Sequence, residues 1–289
     1  MLIPFLLFAA QAAPATAAAP PPPAPLPSDA AEGDWRPIPD DALMIITLSG
    51  NRQVVIRLAA RFAPAHLANM RTLALAHWWD ATSVYRVQEN WVAQWGDATE
   101  KKPLPPGIVA VPPAEFEIAD FTPAQTLPRP DAYALYAGIT ADGWPIAGNG
   151  RQAWLTHCYG MVGVGRDALP STGNGAELFT PIGQSARRLD RNYTVVGRII
   201  EGMKYMSAMP RSDAAMGVYA TEAERTAIIS VRLASDIPAA ERPRYEYRAA
   251  DNPRFAAMIA LRDRPAAPTV RTGLTVCDVP LATRRVGAR

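Results

Sequence analysis

A chain of 289 residues that is 49% hydrophobic can bury the core of one medium domain of ~100–200 residues, with both ends left over. Its 29 basic residues against 27 acidic ones leave a formal charge of +2, which points to no partner of opposite charge. Only Lys101, Lys102 and Lys204 are lysines and the arginines are scattered, so the basic stripe that nucleic-acid binding needs is missing.

At the N-terminus, Leu2 to Ala13 form an apolar run of the length found in secretory signals. Small-x-small cleavage sites follow at Ala10-Gln11-Ala12, Ala15-Thr16-Ala17 and Ala17-Ala18-Ala19. We read 1–19 as a signal peptide and expect a periplasmic or secreted protein, although no Lys or Arg precedes the apolar run. About 12 apolar residues fall short of the ~20 that cross a bilayer, so stable membrane insertion is not expected. The Ala/Pro-rich stretch Pro14 to Pro27 leads through an extended linker, 20–41, and folded structure is expected to set in between Trp35 and Ala42.

From 42 to 235 the pattern is mainly β and suits a closed antiparallel barrel with two helices. Met44 to Leu48 and Val54 to Leu58 are β-branched runs joined by the hairpin signal Ser49-Gly50-Asn51-Arg52. Pro64 then stands where a first helical turn tolerates it, and Leu67, Met70, Leu73, Ala74 and His77 recur at helical spacing. His66 and His77 read as helix-face histidines without a chemical role. Further strands are predicted at Val84 to Val87, Val92 to Trp95, Gly160 to Gly165, Leu178 to Ile182, Val195 to Ile200 and Ala227 to Leu233. A short second helix is predicted around Gly202 to Ala208. Closure of such a sheet removes its edges.

Between Asp97 and Leu155 lies a Pro-rich insertion, with Pro103, Pro105, Pro106, Pro112, Pro113, Pro123, Pro128, Pro130 and Pro145. It reads as a long loop region that elaborates the surface. The C-terminal extension, 236–289, holds a helical pattern over Arg254 to Leu261 and a strand-like Gly273 to Cys277. Cys158 and Cys277 can form at most one intramolecular disulfide, which in an exported chain would pin the extension back to the barrel. His157 and Cys158 are neighbours on a strand and point to opposite faces, so they do not read as a thiol–imidazole pair.

The most informative stretch is Val84-Tyr85-Arg86-Val87-Gln88-Glu89-Asn90-Trp91-Val92-Ala93-Gln94-Trp95-Gly96-Asp97. It resembles the first signature of the cyclophilin family of peptidyl-prolyl isomerases, aromatic-Arg-[VI]-x-x-x-aromatic-x-x-Gln-x-Gly-Asp. Gly160 to Asp167 with Gly173 to Thr180, and Leu189 to Met203, are similar to two further family blocks in the same order. The resemblance covers roughly 42–234 and implies an eight-stranded antiparallel barrel capped by two helices. Within the insertion, Ala114-Glu115-Phe116-Glu117 resembles a family strand, so loop, strand, then loop is expected there.

The activity it implies is rotation of the X-Pro bond during folding of exported proteins. Amide rotation meets a barrier of ~18–20 kcal/mol, while the two X-Pro isomers differ by only ~0.5–1 kcal/mol and exchange over tens to hundreds of seconds. A catalyst therefore needs no nucleophile, metal or cofactor; it must bind the twisted amide better than either planar form. Arg86 is the expected catalytic residue, because the prolyl nitrogen regains a lone pair in the twisted state and can then accept from a fixed guanidinium. Such a bond, ~1.5–3 kcal/mol, supplies roughly one to two orders of magnitude in rate.

By the same resemblance Trp91, Val92, Phe179, Leu189 and Tyr193 wall an apolar slot for the proline ring. Gln94 binds the substrate carbonyl or orients Arg86, and the backbone at Gly165 and Arg166 pairs with the peptide. The expected partners are proline-containing polypeptides, bound by a monomer. Two departures stand out. Glu177 replaces the family's glutamine and could pair with Arg86, either fixing its orientation or diverting its donors from the substrate. Arg188 replaces a tryptophan associated with cyclosporin binding. If these changes have turned the cleft into a partner site, the alternative is a peptide-binding module with little turnover. Since arginine does not titrate there, little pH dependence is expected between pH 6 and 8.

Overall fold

The computed structural model of the protein describes residues 29–119, 121–264 and 273–287, so the expected signal peptide lies outside the described residues. In chain order the elements are β1 (Trp35–Pro37), β2 (Leu43–Leu48), β3 (Arg52–Leu58), α1 (Pro64–Leu75), β4 (Ser83–Val87), β5 (Val92–Gly96), β6 (Ile118–Ala119), β7 (Gln125–Thr126), β8 (Tyr136–Ile139), β9 (Pro145–Gly148), β10 (Gln152–Leu155), β11 (Met161–Val164), β12 (Leu178–Pro181), β13 (Val195–Glu201), α2 (Met203–Ser207), β14 (Thr226–Leu233), β15 (Tyr245–Arg248), α3 (Pro253–Asp263) and β16 (Thr283–Arg285). Short 3-10 turns lie between some of them.

Eight strands close into an antiparallel barrel in the order β11-β12-β5-β4-β14-β2-β3-β13, with β13 pairing back onto β11. Its interior is filled by alternate residues such as Met44, Ile46 and Leu48 of β2, Val54 and Ile56 of β3, and Trp95 of β5. Leu67, Met70 and Leu73 of α1 and Met206 of α2 join that core, so these two helices are the caps. α1 ends at Leu75, and His77 lies past it with φ 53°, off the helix face on which the spacing had placed it.

β2 is apolar at every position but Thr47, and β3 from Val54 to Ile56, because both faces of these segments are covered. Leu43, Ile45 and Val55 face outward into a second cluster with Ile38 and Tyr245. Tyr245 belongs to a three-stranded sheet, β1-β15-β16, which joins the chain before the barrel to the chain after it. The end of the expected linker is therefore folded: a 3-10 turn spans Glu32–Asp34 and β1 follows.

The insertion is not a long loop. It forms a five-stranded sheet, β6-β10-β9-β8-β7, whose strands of two to four residues are too short to show a periodicity. Its apolar residues Ile139, Ile146 and Trp154 pack with Phe255 and Ile259 of α3, with Val276, and with Met161 and Val195 on the barrel. Burial of these strands thus depends on chain more than 100 residues away, which a local reading cannot see.

Residues 114–117, expected as a strand, form an anchor instead. The Glu115 carboxylate accepts the N–H groups of Ala65 (2.8 Å) and His66 (3.0 Å) at the start of α1 and lies 2.6 Å from His66 Nδ1. A carboxylate suits that place because the first N–H groups of a helix lack partners and carry partial positive charge. The strand-like Gly273 to Cys277 ends in a 3-10 turn, Val276–Asp278, whereas the predicted extension helix falls within α3, capped by Asn252. Cys158 and Cys277 are joined by a disulfide.

Candidate active site

The site is built on a fault in the β4–β5 ladder. Val84 pairs with Trp95 and Arg86 with Gln94, so Tyr85 is an extra residue in β4, a β-bulge. In a regular strand Tyr85 and Arg86 would point to opposite faces; the bulge brings both to Gln94. Arg86 Nη1 donates to Gln94 Oε1 (2.9 Å), and Gln94 Nε2 donates to the Tyr85 hydroxyl (2.6 Å).

Two more contacts hold the guanidinium. Nη2 donates to Gln88 Oε1 (2.7 Å) and Nε to the Met216 carbonyl (2.7 Å). Met216 sits in the left-handed region (φ 61°), in a loop that Ser212 N and Tyr219 N tie to the Val87 and Tyr85 carbonyls at 3.0 and 2.9 Å. Arginine has five N–H donors; these bonds use one on each nitrogen and leave one on each Nη. Burial pulls the Arg86 pKa down, opposed by the Tyr85 and Tyr193 phenols.

Glu177 does not pair with Arg86, contrary to the expectation from charge alone. Its Oε2 accepts the Tyr85 hydroxyl (2.8 Å) and its Oε1 accepts the Asp97 N–H (2.8 Å). Gly96 makes room for it: a Cβ there would lie 2.2 Å from both carboxylate oxygens. That gives the Gly-Asp pair of the first signature a physical task in this chain. Burial pushes the Glu177 pKa up to about 7, against the bonds from Tyr85 and Asp97, and the charges of Asp97 and Glu100 push the same way as burial. Burial and Glu177 together push the Tyr85 phenol up. A carboxylate whose pKa is raised toward neutrality therefore stands in the network, a group that the expectation of a flat profile, argued from arginine, did not count.

Beside the network stand residues expected to wall the slot. Phe179 on β12 pairs with Gln94 on one side and with Gly163 of β11 on the other. A Cβ at Gly163 would come 2.4 Å from the Phe179 ring, so only glycine admits it. Tyr193 meets Phe179 edge-on (5.6 Å), and His157 stacks on it (5.9 Å, 8°). Arg166 lies over Tyr193 at 4.6 Å, held by a bond from its Nε to the Asn192 carbonyl (2.8 Å). Gly165 donates its N–H to the Glu177 carbonyl (2.7 Å), so the 165–166 backbone adjoins the network.

Val92, two residues before Gln94, shares its strand face, whereas Ala93 and Trp95 enter the barrel core. Trp91 lies on the β4–β5 turn under the Arg188 guanidinium (5.3 Å). Leu189 ends the 3-10 turn Ser185–Leu189, half-buried. Tyr85, Gln88 and Met216 are the site residues that sequence reasoning did not single out, and His157 was weighed only as a neighbour of Cys158. Tyr85 filled an aromatic place in the signature, and Gly217 beside Met216 marked a turn; His157 carried no such signal. Among the described residues, no group of His, Cys, Asp or Glu could hold a metal ion.

A closed eight-stranded antiparallel barrel capped by two helices is the fold expected of a peptidyl-prolyl isomerase. The profile described as "Cyclophilin type peptidyl-prolyl cis-trans isomerase/CLD" matches residues 43–232, and the chain belongs to that family. Its members bind proline-containing peptides. The chain is similar to cyclophilin AquaCyp293 from Hirschia baltica, with 23% identity and a TM-score of 0.69 over 87% of this chain and 93% of that one. A Cryptosporidium parvum cyclophilin-type isomerase, solved in the presence of the dipeptide Ala-Pro, matches at 13% identity and a TM-score of 0.41, over 66% and 98%. No curated protein sequence matches the chain significantly.

Proposed function

We propose that this isomerase speeds the folding of exported proteins, with Arg86 stabilising the twisted X-Pro amide. The observation that carries this reading is the hold on the guanidinium: three bonds fix its plane, while one N–H on each Nη stays available. A donor fixed in advance costs no reorganisation when the prolyl nitrogen becomes pyramidal, so the bond favours the twisted state over the planar ones.

Both polar ends of Gln94 are engaged, Oε1 by Arg86 and Nε2 with Tyr85. We therefore assign it the orienting task rather than that of binding a substrate carbonyl. Val92, Phe179 and Tyr193 supply the apolar slot, with Trp91 and Leu189 at its margin, and the 165–166 backbone lies where a peptide strand would pair. Turnover is favoured over mere binding because Glu177 engages Tyr85 and takes no donor from Arg86.

We place the protein in the periplasm or outside the cell, as a monomer. The apolar leader and small-x-small sites support this, and a disulfide suits an oxidising compartment. Among the described residues no helix is long and apolar enough to cross a membrane. The test is catalysed isomerisation of an X-Pro tetrapeptide by wild type and Arg86→Ala, with refolding of a proline-limited secreted protein alongside. A loss of about 10- to 100-fold in kcat/KM supports the reading. Equal rates, or a wild type no faster than the uncatalysed reaction, would leave a peptide-binding module.

A further inference from the structure

We propose that Tyr85 and Glu177 are positioning residues for Arg86, acting through the side-chain amide of Gln94. The inference rests on the reading that Arg86 is catalytic, and it concerns what keeps that arginine in place.

A glutamine amide fits the same space after a half-turn that exchanges its oxygen and nitrogen. Only one of the two orientations offers Arg86 an acceptor; the other sets an NH2 group against Nη1, donor against donor. The selection must come from the far end of the amide, where Gln94 Nε2 meets the Tyr85 hydroxyl at 2.6 Å. A phenol could donate to the amide oxygen or accept from the amide nitrogen, so Tyr85 alone would permit both orientations.

Glu177 removes the choice. An ionised carboxylate only accepts, and its Oε2, 2.8 Å away, takes the one hydrogen Tyr85 has. The Tyr85 oxygen is then left as an acceptor and calls for the NH2 end of Gln94. The donors run one way along the chain: Arg86 to Gln94, Gln94 to Tyr85, Tyr85 to Glu177. The last acceptor is fixed by the Asp97 N–H on its other oxygen and by the space above Gly96.

Protonation of Glu177 reverses the logic. A carboxylic acid can donate to the Tyr85 oxygen, whose hydrogen is then free to seek the Gln94 oxygen, and the turned amide no longer accepts from Arg86. The groups facing Glu177 are Tyr85 from β4, the Asp97 N–H and carboxylate at the end of β5, and Glu100 in the following turn. Lys102, Arg166 and Asp167 line the same open cleft, through which solvent protons reach the carboxylate. Burial already sets Glu177 to change charge at about 7, so the device works in the range where the arginine itself is inert.

The experiment is kcat/KM from pH 5.5 to 8.5 for wild type, Tyr85→Phe, Glu177→Gln and Arg86→Ala, by a protease-free tetrapeptide assay. Wild type is expected to lose about 3- to 10-fold on the acid side of an inflection near Glu177's pKa, mainly in kcat. Tyr85→Phe and Glu177→Gln are each expected to be slower than wild type at pH 8 and flat with pH. A flat wild-type profile, or Tyr85→Phe and Glu177→Gln matching wild type at every pH while Arg86→Ala is impaired, overturns the positioning role and spares the catalytic one. If Arg86→Ala matches wild type, the underlying reading fails instead. Circular dichroism and melting curves certify folding, and the wild-type profile decides the matter should a variant not fold.

Discussion

Glu177 meets Tyr85, not Arg86: the carboxylate accepts the phenol at 2.8 Å, and the phenol in turn accepts from Gln94 at 2.6 Å. The cleft thus holds a carboxylate and a guanidinium separated by two neutral side chains. The acid can bias the arginine without neutralising it.

That arrangement has a stability cost with a definite sign. Glu177 is raised from 4.5 to about 7 by burial. Its contribution to folding is full below the unfolded value and is lost as pH rises through the folded one. Glu177→Gln is therefore expected to be more stable than wild type by roughly 1–3 kcal/mol at pH 8 and to show little difference near pH 4.5. Denaturant melts at the two pH values check this; a variant less stable at pH 8 than at pH 4.5, relative to wild type, would contradict it.

Gly96→Ala should damage both fold and catalysis. Its φ of 149° disfavours a side chain, and the added Cβ would sit 2.2 Å from the Glu177 oxygens. A loss of about 2 kcal/mol or more is expected, with lower kcat. Because the collision is with one side chain, adding Glu177→Ala should return part of the stability, and strict additivity of the two changes would argue against the contact.

The disulfide closes a long loop. Cys158 and Cys277 are 119 residues apart, and the bond holds the 273–278 turn against the insertion sheet and barrel. Reduction, or Cys277→Ser, is expected to cost about 2–5 kcal/mol. Isomerase activity of the folded fraction should remain, since Arg86 and its partners lie elsewhere. Unchanged melting under reducing conditions would show that packing alone secures the extension.

Glu115→Ala should release the first leg of the insertion. The carboxylate satisfies two N–H groups at the start of α1 and the ring of the buried His66. Its loss is expected to cost about 1–3 kcal/mol and to expose residues 103–115 to limited proteolysis. Cleavage no faster than in wild type would contradict the anchoring role.

The barrel was legible because its strands are apolar, β-branched runs of four to eight residues and carry three motif blocks in order. Arg86, Gln94, Phe179 and Tyr193 were legible through those blocks. The β4 bulge was not, since nothing in Val84-Tyr85-Arg86 breaks a strand; without it Tyr85 would face away from Gln94. Charge complementarity suggested Glu177 with Arg86, yet the register seats a neutral phenol and an amide between them. Met216 reaches Arg86 across 130 residues through a backbone carbonyl, a contact that side-chain identity does not encode. The insertion sheet escaped because its burial is supplied in part by the extension.

In the proposed mechanism a fixed arginine fork, rather than a positive charge alone, drives the isomerisation. Two-dimensional exchange NMR on an Ala-Pro tetrapeptide, comparing wild type with Arg86→Lys at pH 8, tests it most directly. Lysine keeps the charge but loses the fork, so catalysed exchange is expected to fall by about tenfold or more while peptide binding changes little. Exchange at the wild-type rate in Arg86→Lys would contradict the account.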